Sequence, residues 1–269
     1  MTSQEFAGYA ITRRLAAGGM TYLYLGVNRQ QERVVIRRMR PEFLRDRRLR
    51  TSFINGGEIL ARLDHANVVR LIEAGIHHDE PYQVLEYIES HPLRDLVAQR
   101  HPLLRQNPLS MMRQIAAGLS YIHLAGFLHL DLKPDNILMR ADGLAVIVDF
   151  DLALPRKHLP IKLSPLPGTF AYLPPETIGK GLVDDQTDIY AFGVTCYEML
   201  TGHKPFEGVT PEDSRRMQLD PTAHPRKLRL HNVTVPPAME NLIFKCLAHP
   251  TIARYPSMSL VLRDLEAMI

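Results

Sequence analysis

The sequence predicts an α+β chain of two lobes: a small antiparallel β-sheet carrying one helix over residues 1–88, then a larger, mainly helical lobe over 92–269. Three observations predict it. Roughly the first ninety residues are short β-branched and aromatic runs separated by turn residues. The remainder carries apolar residues at helical spacing. No repeat, low-complexity tract or long linker interrupts the 269 residues, so both lobes are expected in a single domain, 1–269, with a hinge at 86–91.

The strands are expected at YAITRRL (9–15), TYLYLGV (21–27) and ERVVIRR (32–38), separated by the turns AAGG and NRQQ. VVRLIEAGI (68–76) and YQVLEYI (82–88) follow, joined by HHDEP. Between the two groups, Phe43, Leu44, Phe53, Ile59, Leu60 and Leu63 give one helical pattern over 41–63. In the second lobe, PLSMMRQIAAGLSYIHLAGF (108–127) repeats apolar residues at helical spacing. TDIYAFGVTCYEMLTG (187–202) is apolar nearly all round, which predicts a helix buried in the core. SMSLVLRDLEAMI (257–269) closes as an amphipathic helix.

Hydrophobic residues at 45% and charged residues at 23% are ordinary for a soluble globular protein. No apolar run approaches the roughly 18–20 residues of a membrane span. The N-terminus lacks the apolar core of a secretory signal. Cys196 and Cys246 lie in apolar helical text and read as reduced core residues of a cytoplasmic protein. The 12 histidines form no zinc-ligand spacing, and neither zinc nor haem is expected. Net charge is +3, from 25 arginines and 7 lysines against 29 acids, and the first lysine of the chain is Lys133. The run IRRMRPEFLRDRRLR (36–50) could draw an anionic partner, but a solvated helix face explains it better than nucleic-acid binding.

HLDLKPDNIL (129–138) and IVDFDLAL (147–154) carry the chemistry. With GTFAYLPPE (168–176), DIYAFG (188–193), LTGHKPF (200–206) and Arg254, in this order, they make the chain resemble the protein-kinase family over essentially its whole length. The bacterial and eukaryotic Ser/Thr type fits best, because DLKPxN is its form of the catalytic loop. The resemblance implies a bilobal protein-kinase-like fold that uses ATP and Mg²⁺. In that frame Asp131 accepts the proton of the substrate hydroxyl and Lys133 steadies the transferring phosphoryl group. Asn136 and Asp149 hold Mg²⁺, hard oxygen donors for a hard cation. Glu86 to Ile88 offer backbone groups to adenine after Leu85 in the gatekeeper place, and Leu15, Leu23 and Leu138 sandwich the base. Gly18 belongs to the loop over the phosphates. Glu176 and Arg254 form a buried ion pair, Asp188 braces the catalytic loop, and Thr169 stands against the catalytic aspartate.

The pattern then fails at the phosphate grip. Arg37 stands where the family has the lysine that holds the α- and β-phosphates, and no earlier lysine replaces it. A planar guanidinium is not a compact ammonium. The glutamate expected to pair with that lysine falls on Gly56, followed by Gly57, with Glu58 on the far side of the helix. Two helix-interior glycines predict a mobile or broken helix. Asp149-Phe150-Asp151 replaces DFG. Asp151 has three readings: a partner for Arg37 that closes the phosphate space, a further Mg²⁺ ligand, or a solvated loop residue. Ala16 and Thr21 replace two loop glycines, Val35 replaces the alanine against adenine, and Leu130 replaces the arginine that reads a phosphorylated activation loop.

The leading expectation is a pseudokinase: a conformational, protein-binding or allosteric signalling module with impaired or absent phosphotransfer and at most weak ATP and Mg²⁺ binding. The alternative is an active atypical Ser/Thr kinase that transfers the γ-phosphate of ATP to protein hydroxyls.

Overall fold

β-Branched runs closed by tight turns build the first lobe as a curled antiparallel sheet. The computed structural model describes residues 4–166 and 168–268. Its strands are β1 (Gln4–Phe6), β2 (Tyr9–Ala17), β3 (Thr21–Val27), β4 (Arg33–Met39), β5 (Leu71–His77) and β6 (Glu80–Glu86), in the order β1-β2-β3-β4-β6-β5. The β2–β3 turn is closed by Gly18 N–H donating to the Thr21 carbonyl at 2.8 Å. The β3–β4 turn is closed by Asn28, whose Oδ1 accepts from the backbone N–H groups of Gln30 and Glu32. Period-two alternation puts Val34 and Ile36 into a cluster with Phe6, Tyr82 and Val84 on one face of the sheet. Val35 and Arg37 therefore point to the other face, towards the second lobe.

Helix α1 (Arg47–Leu60) is capped by Asp46, whose carboxylate accepts from Arg48 N–H and Leu49 N–H. The break expected at Gly56-Gly57 does not occur, and the helix is continuous through both residues. The reason is packing. Both glycines are buried, and a Cβ at Gly56 would stand 2.7 Å from the Phe150 carbonyl oxygen. One at Gly57 would stand 3.1 Å from Gln83 Nε2. The bare backbone lets the helix dock closely, and that contact offsets the low helix propensity of glycine.

The second lobe begins with β7 (Ser90–Pro92), α2 (Leu93–Ala98), α3 (Leu103–Gln106) and α4 (Pro108–Leu124). Then come β8 (Phe127–Leu128), β9 (Ile137–Arg140), β10 (Ala145–Ile147), β11 (Leu154–Pro155), β12 (Ile161–Lys162), α5 (Pro175–Lys180) and β13 (Leu182–Val183). Helices α6 (Asp185–Thr201), α7 (Pro211–Leu219), α8 (Pro237–Cys246) and α9 (Met258–Glu266) complete it. The short strands, absent from the sequence reading, form sheets β10-β9-β7, β11-β8 and β12-β13. They hold the catalytic loop between β8 and β9 and set Asp149 just after β10. Helix α6 is buried nearly all round, as its composition predicts, and starts at a capping box made by Asp184 and Thr187. Leu85, Ile59 and Leu60 of the first lobe join the main core of the second. Among the described residues, no helix is long and apolar enough to cross a membrane.

Candidate active site

The catalytic loop hangs from one buried carboxylate. Asp188, on α6 and fully buried, accepts from His129 N–H and Leu130 N–H at 2.8 Å each, and from His123 Nε2 at 2.8 Å. Those bonds hold Leu130 at φ +63°, a left-handed conformation that leucine rarely adopts. Burial opposes ionisation of Asp188, yet His123 and the backbone donors hold it below the ordinary carboxylate range.

From this anchor the loop presents its polar groups together. Lys133 Nζ donates to both Asp131 oxygens, at 2.9 and 2.8 Å, and to Thr169 Oγ1 at 3.2 Å. Asn136 Nδ2 donates to the Asp131 carbonyl at 2.9 Å and to its Oδ2 at 2.8 Å. Asp131, Lys133 and the expected Mg²⁺ holder Asn136 thus meet, with Thr169 joined to them through Lys133. Burial raises Asp131 above its ordinary value, against the hydrogen bonds and charge of Lys133. A partly desolvated carboxylate that keeps one cation is chemically suited to accept a proton from an alcohol.

Across the cleft the phosphate grip is rewired. Arg37 reaches Asp151 through two parallel bonds, Nη2–Oδ2 at 2.7 Å and Nη1–Oδ1 at 3.1 Å, and reaches Asp149 Oδ1 at 3.2 Å. Of the three readings of Asp151, the pairing with Arg37 is the one realised. Both side chains are buried, 7% and 8% exposed. The fork of arginine suits this carboxylate, and lysine would make a single point contact. Burial pushes Asp151 up to about 7, with Arg37 opposing and the charge of Asp149 adding. Burial works against Asp149 as well, but Arg37 and the Asp151 N–H hold it below the usual range. Phe150 is buried edge-on against His129, ring centroids 5.0 Å apart.

Sequence reasoning missed the fourth member of this cluster. Gln83 lies directly opposite Arg37 in the β4–β6 ladder. Its Oε1 accepts from Arg37 Nη1 at 2.8 Å, and its Nε2 donates to the Phe53 carbonyl of α1 at 2.8 Å. It therefore ties the helix to the arginine, the link that a glutamate at position 56 would make elsewhere in the family pattern. Ser52 adds a second tie by donating to the Asp151 carbonyl. Glu58 is exposed and takes no part, as expected from its side of the helix. Cross-strand register between 32–38 and 82–88 was the signal that could have found Gln83.

The remaining expected residues surround this centre. Leu15, Leu23 and Val35 come from β2, β3 and β4, and Leu138 comes from β9; all four are half-buried. Glu86 and Ile88 lie in the segment between the lobes, and the Glu86 carboxylate accepts from Arg70 N–H at 2.8 Å. Arg40 donates to the carbonyls of Gly18 and Gly19 at 3.3 Å each, fastening the loop over the phosphate position. Arg254 and Glu176 meet at 2.6 Å in the helical lobe, with the arginine side chain fully buried. Asn136 turns its nitrogen to Asp131, so Oδ1 is the atom it has left for a cation. Among the described residues, no cluster of three or more His, Cys, Asp or Glu side chains has metal-holding geometry. Mg²⁺ needs only one or two protein oxygens when nucleotide phosphates and water complete its shell, so this donor set fits it.

Comparison with known proteins agrees with the geometry. The protein kinase domain family matches residues 9–264. The serine/threonine-protein kinase PknL of Mycobacterium tuberculosis is 32% identical over 97% of this chain and 65% of its own length. The serine/threonine-protein kinase PrkC of Bacillus subtilis is 31% identical over 97% of this chain and 40% of its own. A probable serine/threonine-protein kinase of Clostridium perfringens is 28% identical over 96% of this chain and 38% of its own. The chain therefore spans between about two-fifths and two-thirds of the length of these relatives. With the family matched over nearly the whole chain, and its catalytic loop assembled in space, this protein belongs to the protein kinase domain family.

Proposed function

We propose that this kinase domain is impaired in phosphotransfer and serves as a conformational, protein-binding module in signalling, with at most weak hold on ATP and Mg²⁺. The observation that carries the reading is the closed Arg37–Asp151–Asp149 cluster. The cation that should meet phosphate is already held by the Asp151 fork and by Asp149, the carboxylate that should meet Mg²⁺. A phosphate that takes Arg37 strips Asp151 of its buried partner, and the carboxyl must then take up a proton or stay charged in a dry cleft, a cost of up to about 3–5 kcal/mol. Micromolar binding is worth about 8 kcal/mol, so the penalty moves such a site towards millimolar affinity. Asn136 and Asp149 would hold Mg²⁺, which supplies charge neutralisation on the nucleotide phosphates when bound.

A thermal-shift titration with ATP and ADP, with and without Mg²⁺, tests this. No shift at millimolar nucleotide supports the reading. A Mg²⁺-dependent shift of several degrees at micromolar nucleotide sinks it. The double variant Arg37→Lys/Asp151→Gly is expected to gain a Mg²⁺-dependent shift.

One observation favours a second reading, a slow atypical Ser/Thr protein kinase. Asp131, Lys133, Asn136 and Thr169 are already joined in one hydrogen-bonded chain, so only the grip needs to open. Transfer of labelled γ-phosphate to a protein hydroxyl, lost in Asp131→Asn, would establish it.

A further inference from the structure

At the far end of the helical lobe lies a cleft of about 550 Å³ that the nucleotide site does not use. Arg100 and His101, from the link between α2 and α3, and Arg105, from α3, form one wall. His203 and His231 face them from the segments after α6 and before α8, their rings tilted by 35° with centroids 4.7 Å apart. No aspartate or glutamate is among the 15 lining residues. His101 Nδ1 accepts from Leu103 N–H at 3.2 Å, so the ring proton sits on Nε2 as a donor. His203 Nδ1 lies 2.9 Å from a carboxylate oxygen of Glu207, which itself stands outside the lining.

The floor is apolar: Leu104, Met199 and Leu200 are buried beneath the charged walls. The rim adds Leu230 and Val233, 75% and 78% exposed. Exposed Arg226, Lys227 and Arg229 lie on the chain leading to it. Two features would repel an anion: the Glu207 carboxylate, which His203 faces, and the carbonyl end of α6, which is capped. Asn232 Nδ2 donates to the Leu200 carbonyl at 3.0 Å, and Gly202 N–H donates to that of Glu198 at 2.8 Å. An apolar floor with a cationic rim matches a protein segment that alternates acidic with apolar side chains, the arrangement of an interface core and its charged margin. A free phosphate would use the rim and leave the floor wet.

We infer that this cleft is a docking site for an acidic, apolar-anchored segment of a protein partner. The test is fluorescence anisotropy of a labelled peptide of repeated Glu-Glu-Leu units, beside Lys-Lys-Leu and Glu-Glu-Ser controls. The acidic apolar peptide is expected to bind saturably, about tenfold more tightly than either control. Arg100→Glu/Arg105→Glu and, separately, Leu230→Asp are each expected to weaken it about tenfold, with melting temperatures unchanged because all three positions are exposed. Equal binding to these variants overturns the inference. So does a Glu-Glu-Ser peptide or inorganic tripolyphosphate that binds as tightly, since the surface would then be an anion attractor only. Binding to anionic vesicles in preference to the peptide would make it a membrane contact and overturn it as well. The nucleotide titration of the Arg100→Glu/Arg105→Glu variant is expected to match the parent chain, so this site and the closed phosphate grip fail separately.

Discussion

On the helical side of the cleft, Asp131, Lys133 and Asn136 meet through bonds of 2.8–2.9 Å above a loop pinned to Asp188. On the sheet side, Arg37 lies in a fork to Asp151 and reaches no helix carboxylate. The two sides differ in what holds them. The catalytic loop is positioned by backbone bonds to a buried anchor, so its side chains keep their geometry whatever occupies the cleft. The grip is positioned by the charges it would need for a ligand. The lesson is that an assembled catalytic loop carries little information about nucleotide affinity in the same molecule.

The sharpest way to break this contrast is Asp188→Ala. It strands two buried N–H groups and His123, and the expected loss is about 3–5 kcal/mol in chemical denaturation. A loss under about 1 kcal/mol would mean that the loop stands without its anchor. Next comes the pH dependence of the grip. The folded value of Asp151 lies near 7, above an unfolded value near 4. The folded chain therefore keeps a proton that the unfolded chain has released. That contribution is complete below about pH 4 and is lost as pH rises to about 7, on the order of 2–4 kcal/mol. Asp149, held low, acts below this window. Stability compared between about pH 5 and 8 should fall in the parent chain and hold level in Asp151→Asn; parallel curves would contradict the buried proton.

A smaller effect separates packing from propensity. Gly56→Ala should gain up to about 1 kcal/mol as a helix residue. It should nevertheless lose about 1–3 kcal/mol overall, because the new methyl meets the Phe150 carbonyl. A net gain in melting temperature would show that α1 does not dock there. Smallest is Gln83→Leu, about 1–2 kcal/mol for two buried hydrogen-bonding partners left unmade. It should also loosen α1, seen as faster amide hydrogen exchange across Phe53–Gly57.

Much of this was legible before any coordinates. The ordered motifs from Asp131 to Arg254 specify the helical lobe and its site because each carries a chemically particular residue at a particular spacing. Arg37 facing Asp151 was legible only as one of three readings, since two adjacent acids call for a cation but Mg²⁺ or solvent would answer as well. Gln83 was not, because its role depends on which residue it opposes across β4 and β6. The continuity of α1 was misread for a related reason. Glycine has a known penalty within a helix, whereas the close approach of Gly56 to Phe150 joins residues far apart in the chain. Strands of two or three residues, such as β8 and β11, are too short to leave a periodic trace.

The displaced carboxylate also constrains how this protein can change. A glutamate restored at position 56 would strike the Phe150 carbonyl and find Arg37 already paired. Glycine restored at position 151 would leave that arginine with no full partner before any helix acid had arrived. Each of these two single changes is therefore expected to cost stability, whereas joint replacement at 37 and 151 removes the fork together with the acid that fills it. Positions 37, 56 and 151 are thus coupled through one contact network, and a change at any one of them is read by the other two.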